Sequence, residues 1–216
     1  GHGKVDLTTS LAKSCNTSFS HIGRLLDLDA FYAMNEEFLF NRDLPVNMAT
    51  SRSSFTLKKA GSSVKEAMQT AIGQGKTLMT PLHNAMIISS IANGGAMMRP
   101  YLVDHVETAD GGIVKTYSSE LYSKPMTAVE ADYLGKMMRE AVVDGTGRKL
   151  KDMEVTSAGK TGSADNSTGK AHSWFVGYAP YENPQISVSI LVENVGTGSE
   201  YAVPIAKKIF EAYFQE

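Results

Sequence analysis

The chain has one cysteine, Cys15, in 216 residues, so it forms no internal disulfide. A domain of this size needs none, and the single thiol leaves the compartment open. No apolar run reaches the ~18 residues of a membrane helix. The start lacks the basic-then-apolar pattern of a secretory leader. Neither sign of charge is in excess: 21 Lys and Arg face 23 Asp and Glu, a formal net charge of −2. That gives no push toward nucleic acid or a membrane surface. The five histidines, His2, His21, His83, His105 and His172, are scattered without metal-ligand spacing. No metal and no cofactor are expected. Two Gly-Lys-Thr triplets suggest a phosphate loop, but the glycine needed five residues earlier is Glu154 in one case and Thr70 in the other. A P-loop is excluded. There is no internal repeat and no low-complexity segment.

The chain is 42% hydrophobic, enough for a core in one domain. Asp6 or Thr8 caps a short first helix ending near Lys13. Phe19, Ile22, Leu25 and Leu26 keep helical spacing, continued by Phe31, Met34 and Phe38. Val64 to Ile72 makes another stripe, stopped by Gly73-Gln74-Gly75. Thr80-Pro81 starts a helix that is apolar nearly all round and therefore buried. Asp110-Gly111 marks a hairpin between residues 101–107 and 113–117. Thr127 with Glu130 is a capping box opening a helix that Asp144-Gly145 ends. Strands follow at 158–164, 172–178 and 185–193, then a helix with Ala202, Ile205, Ala206, Ile209, Phe210 and Tyr213 on one face. Short loops make the three strands antiparallel, and the last helix covers their sheet. The fold class is α/β (α+β): a helical lobe over about 1–150, and a sheet with its helix over about 151–216.

The chain is organised around Ala158-Gly159-Lys160-Thr161-Gly162-Ser163-Ala164. Along a strand Lys160 faces one way, and Thr161 and Ser163 the other. Gly162 leaves room for a close approach. A cation, two hydroxyls and a bare glycine on a strand edge suit an extended peptide ending in a carboxylate, added as a strand. On composition alone this is equally an edge strand whose Lys discourages aggregation. Ser14-Cys15-Asn16 is the second constellation. Ser14 and Asn16 share a cleft only if they sit on a turn or helix junction, because residues two apart on a helix point apart. Read alone, both are helix caps. Cys15 is a buried small residue or a reactive thiol.

Ser14-Cys15-Asn16 resembles the Ser-x-Asn motif of the serine penicillin-recognising family, and Lys160-Thr161-Gly162-Ser163 its Lys-Thr-Gly motif. The 144 residues from Asn16 to Lys160 suit that family. Gly73-Gln74-Gly75 with Thr80-Pro81, Asn93-Gly94-Gly95, Gly145-Thr146-Gly147 and His172 to Pro180 also resemble it. The last is most like class B penicillin-binding proteins, the peptidoglycan D,D-transpeptidases. The resemblance implies a β-lactamase/transpeptidase-like fold whose N-terminal part is absent here. It also implies catalytic roles for Ser14, Asn16 and Lys160, and substrate binding by Thr161, Gly162 and Ser163. By that resemblance Ser14 would relay a proton near Lys160, and Asn16 would hold the substrate amide. Thr161 and Ser163 would bind the carboxylate, and the Ser163 N–H would be half of an oxyanion hole.

The implied partners are peptidoglycan stem peptides, β-lactam antibiotics, the missing N-terminal part and cell-wall synthesis proteins. The implied location is the extracytoplasmic face of a bacterial membrane. The family also needs a Ser-x-x-Lys before Ser-x-Asn. Ser10 to Lys13 abuts Ser14, and Ser62 to Lys65 follows it, so both read as chance. The nucleophile is expected outside this chain, which alone is expected to be inactive. The alternatives are a β-lactamase or β-lactam sensor, and a non-catalytic module that kept the fold for binding.

Overall fold

Local capping chemistry sets most of the helices. The computed structural model describes residues 1–215 apart from 59 and 168; Thr168 lies in the expected 165–171 loop, which is therefore described only in part. Helix α1 (Leu7–Ala12) is capped by Asp6, whose carboxylate accepts the Thr9 N–H. Helices α2 (Asn16–Leu25) and α3 (Leu28–Glu37) are separate, because Leu26 turns extended and Asp27 caps the second. Ser63 and Glu66 form a capping box for α4 (Val64–Ala71). Thr80 caps α5 (Pro81–Ala92), with proline in its first turn. Among its residues His83, Met86, Ile88 and Ser90 are buried.

Strand β1 (Met97–Met98) pairs with β4 (Leu121–Ser123), a ribbon the sequence pattern does not announce. The Asp110-Gly111 hairpin forms, but only as β2 (His105–Glu107) and β3 (Ile113–Thr116). Residues 101–104, expected to extend the first of these strands, are irregular. Every residue of this ribbon is exposed, so no burial rewards its extension. Helix α6 (Ala128–Val143) has the Thr127–Glu130 capping box, and a short 3-10 turn follows at Arg148–Leu150.

Strands β5 (Ala158–Ala164), β6 (His172–Ala179) and β7 (Ile186–Val192) form an antiparallel sheet in that order, so β5 lies at one edge. The sheet is covered on both faces. Phe175, Ala179, Val188 and Ile190 pack against Ala202, Val203, Ala206 and Phe210 of α7 (Ala202–Phe214). On the other face Ala158 and Tyr178 pack against Ile88 of α5 and Met138 of α6. Phe175 and Phe210 are fully buried. Each such side chain contributes about 1.5–3 kcal/mol of burial. Among the described residues, no helix is long and apolar enough to cross a membrane.

Candidate active site

Lys160 and Ser14 meet. Lys160 Nζ donates to Ser14 Oγ at 3.1 Å and to the Thr161 carbonyl at 2.7 Å. Desolvation pushes the Lys160 ammonium down to about 8. An amine with that value gives up or takes a proton near neutrality at little cost.

The Ser14 side of the cleft is a helix junction. Ser14 has a φ of 54°, the left-handed region that a serine seldom adopts. The junction is held by backbone bonds: the Ser14 N–H donates to the Leu11 carbonyl and the Cys15 N–H to that of Ser10. Helix α2 starts at Asn16 immediately afterwards. Asn16 is exposed, and among the described residues its side chain has no hydrogen-bond partner. It does not bond to the Lys160–Ser14 pair. Cys15 is buried, and its thiol is drawn down to about 7 by His2 first and then by Ser18.

The end of α6 fastens this junction to the strand. Lys13 Nζ contacts the Asp144 carboxylate at 2.8 Å and also donates to the Asp144 carbonyl. The Thr146 N–H donates to the Ala12 carbonyl. The Thr161 hydroxyl donates to that of Thr146 at 2.5 Å. A Cβ on Gly145 would lie 2.3 Å from the Ala12 carbonyl oxygen, so only glycine fits there. The sequence flags Gly145-Thr146-Gly147 only as part of a resemblance; its bridging role needs tertiary structure.

The hydroxyls of Thr161 and Ser163 lie on the sheet face opposite Lys160, as the strand alternation requires. Ser163 Oγ accepts the Gly198 N–H at 3.2 Å. The neighbours at Gly162 and Gly198 explain the bare positions. A Cβ on Gly162 would press on Trp174 at 3.1 Å, and one on Gly198 would strike the Trp174 and Gly162 carbonyl oxygens at 2.4 and 2.6 Å. The close approach to β5 is therefore made by residues 197–198, a contact between distant segments that sequence reasoning missed.

The backbone of β5 adds an acceptor and donor pair. In an antiparallel ladder a residue turns both its N–H and its C=O to the same side. The Thr161 carbonyl accepts from Lys160, and the Ser163 carbonyl accepts from Gln74 Nε2 at 3.1 Å. Both carbonyls therefore point away from β6, and the Ser163 N–H points to the same open edge. Two surface hollows, one beside the end of α7 and one between α5 and Met98 to Pro100, include neither Ser14 nor Lys160. The site is an open strand edge, not a pit.

The other expected candidates fall elsewhere. Ser10 is buried with its hydroxyl donating to Ser18 at 3.0 Å, and Lys13 is engaged by Asp144. Ser62 accepts from the Lys58 N–H, next to the α4 cap. His172 Nδ1 accepts the Asn194 N–H at 3.2 Å. His83 is fully buried and donates from Nε2 to the Phe38 carbonyl at 2.5 Å. Among the described residues no group of three His, Cys, Asp or Glu could hold a metal ion.

Comparison with known proteins places the chain in a family. The family model for the penicillin binding protein transpeptidase domain matches residues 1–211. The chain belongs to that family. It is 31% identical over 224 residues to a peptidoglycan D,D-transpeptidase, PbpA, of Mycolicibacterium smegmatis, covering 98% of this chain and 44% of that protein. Its structure is similar to a D,D-transpeptidase domain from Eggerthella lenta, with a TM-score of 0.90, 28% identity, and coverage of 100% of this chain and 54% of that one. It is also similar to penicillin-binding protein A of M. tuberculosis in an imipenem acyl-enzyme complex, with a TM-score of 0.88, 32% identity and coverage of 97% and 47%. The chain thus spans about half the length of these relatives.

Proposed function

We propose that this chain is the substrate-gripping part of a D,D-transpeptidase that cross-links peptidoglycan and is acylated by penicillin. The observation that carries the proposal is the contact between Lys160 Nζ and Ser14 Oγ, across 146 residues of sequence, beside an open strand edge. A stem peptide ending in D-Ala-D-Ala adds to that edge as a strand. Its carboxylate is held by the Thr161 and Ser163 hydroxyls, and Lys160, on the other face of the strand, adds positive charge to the site as a whole. Asn16 is exposed, and among the described residues its side chain has no hydrogen-bond partner, which leaves it able to hold the peptide amide.

A serine oxygen attacks the carbonyl between the two D-alanines. The negative charge that develops on the carbonyl oxygen is held by the Ser163 N–H. The C–N bond then breaks, and the departing amine takes, by way of Ser14, the proton that the attacking serine hydroxyl gave up. The amine of a second peptide then attacks the acyl-serine, the C–O bond to serine breaks, and the proton the amine loses returns to the serine oxygen as the cross-link forms. Lys160, poised near pH 8, lets Ser14 shuttle these protons.

The attacking serine comes from outside these residues. In support, the Ser10 hydroxyl is buried against Ser18, and Ser62 lies at the start of α4. Neither bonds to Ser14 or Lys160. The reaction places the site on the extracytoplasmic side of a bacterial membrane, where peptidoglycan and other cell-wall synthesis proteins are met.

Intact-mass spectrometry after incubation with benzylpenicillin tests this reading. The 216-residue chain should gain no adduct, and the intact protein that carries it should gain one. An adduct on the chain alone, mapped to Ser10 or Ser62, would overturn the external nucleophile. No adduct on the intact protein would overturn the activity.

A further inference from the structure

Gln74 has no part in the mechanism above, yet the fold aims it at β5. Helix α4 ends in two nested backbone bonds: Gly73 N–H to the Thr70 carbonyl, and Gln74 N–H to the Gln69 carbonyl. This is the Schellman stop, with Gly73 at a φ of 77° in the left-handed position that the stop requires. Gly75 follows at a φ of 95°. The Gln74 backbone is thus fixed between two glycines, and its carboxamide reaches 89 residues along the sequence to the Ser163 carbonyl.

That carbonyl lies on the open edge of β5. A strand added to the edge donates its own N–H groups to the carbonyls facing it. A peptide amide arriving beside the reactive carbonyl therefore finds Ser163 already bonded. We propose that Gln74 is an internal placeholder for the ligand's amide N–H: its carboxamide occupies the Ser163 carbonyl in the free protein and is displaced by ligands that carry such an amide. The contact keeps an edge acceptor satisfied and discourages adventitious strand pairing. It also sets specificity, because a ligand without the amide cannot use the acceptor it frees. The inference rests on the transpeptidase reading above and adds a residue that selects among ligands.

The test uses the intact protein that carries this chain, and two acylating probes. Benzylpenicillin has a side-chain amide N–H, whereas 6-aminopenicillanic acid has a free amine in its place. Second-order acylation rates are measured for wild type, Gln74→Leu and Gln74→Asn, the last too short by one methylene. Both variants keep the backbone bonds of the helix stop, so the fold is retained. Removing a placeholder whose bond is of ordinary strength should raise the ratio of the benzylpenicillin rate to the 6-aminopenicillanic acid rate roughly 3- to 10-fold. An unchanged or lowered ratio, with the wild type acylated normally, overturns the role of Gln74 and leaves the transpeptidase reading standing. A wild type that neither probe acylates takes both down.

Discussion

The two walls of the cleft are built by opposite means. Lys160 stands on a strand in register with β6 over seven residues, backed on one face by Phe175 and Phe210. At the Ser14 wall Ala12 and Cys15 are buried, but neither belongs to a large apolar cluster among the described residues. That wall is a left-handed turn between two short helices, tied by backbone bonds to Leu11 and Ser10 and, through Ala12 and Lys13, to the loop after α6. Apolar burial makes a wall stiff and insensitive to surface change. Polar stitching sets a strained position exactly where a bond partner stands, but each stitch is individually weak. The charge-bearing group is on the stiff wall, and the hydroxyl it contacts is on the stitched one.

The comparison breaks most visibly at the core. Phe175→Ala should lower the unfolding free energy by about 3–5 kcal/mol, read by urea denaturation. A loss under about 1 kcal/mol would mean that the strand wall is not held by its apolar backing. Next is the stitch that glycine permits. Gly145→Val pushes a side chain into the Ala12 carbonyl and should cost about 1–3 kcal/mol by the same measurement. It should also slow benzylpenicillin acylation of the intact protein more than Phe175→Leu does, because it moves Ser14 directly.

Smaller effects appear on changing pH. Lys160 gives up its proton near 8 in the fold and near 10.5 when unfolded. Below 8 both states are charged, and the fold carries the full desolvation cost. Between 8 and 10.5 the unfolded state binds more protons, so stability rises with pH, and Lys160→Met should flatten that rise. Denaturation at pH 7.5 and pH 10 reads the difference. His83 acts in the same sense at lower pH. Burial holds its folded value below the ordinary one, and its Nδ1 has no partner among the described residues. Stability should therefore fall as pH drops below about 6.5, where the unfolded histidine takes up a proton. The smallest effect is expected of Lys13→Ala. Its partner Asp144 is largely exposed, so thermal stability should barely move, whereas acylation should slow if the stitch positions Ser14.

Much of this was legible in the chain because it is local. The capping boxes at Ser63 and Thr127, the Thr80-Pro81 start and the alternation of Ile186, Val188 and Ile190 depend on residues within a few positions of one another. Ser14 and Asn16 were readable as a junction because a helix cannot point both into one cleft. The β1–β4 ribbon was not readable: two-residue strands carry no alternation to count. The run at 101–107 overstated its strand, because apolar residues there stay exposed, as Leu102 does at 85%.

The sequence by itself determined the helices, the sheet's alternation and the two motifs, since propensity, capping and period are properties of neighbours. Only the tertiary structure decided what those motifs meet. It set Lys160 on Ser14 in a desolvated place, joined Thr161 to Thr146, laid Gly198 over β5 and turned Gln74 onto Ser163. Each of these contacts joins residues more than ten positions apart, and the position of one partner relative to the other comes from the packing of the elements between them.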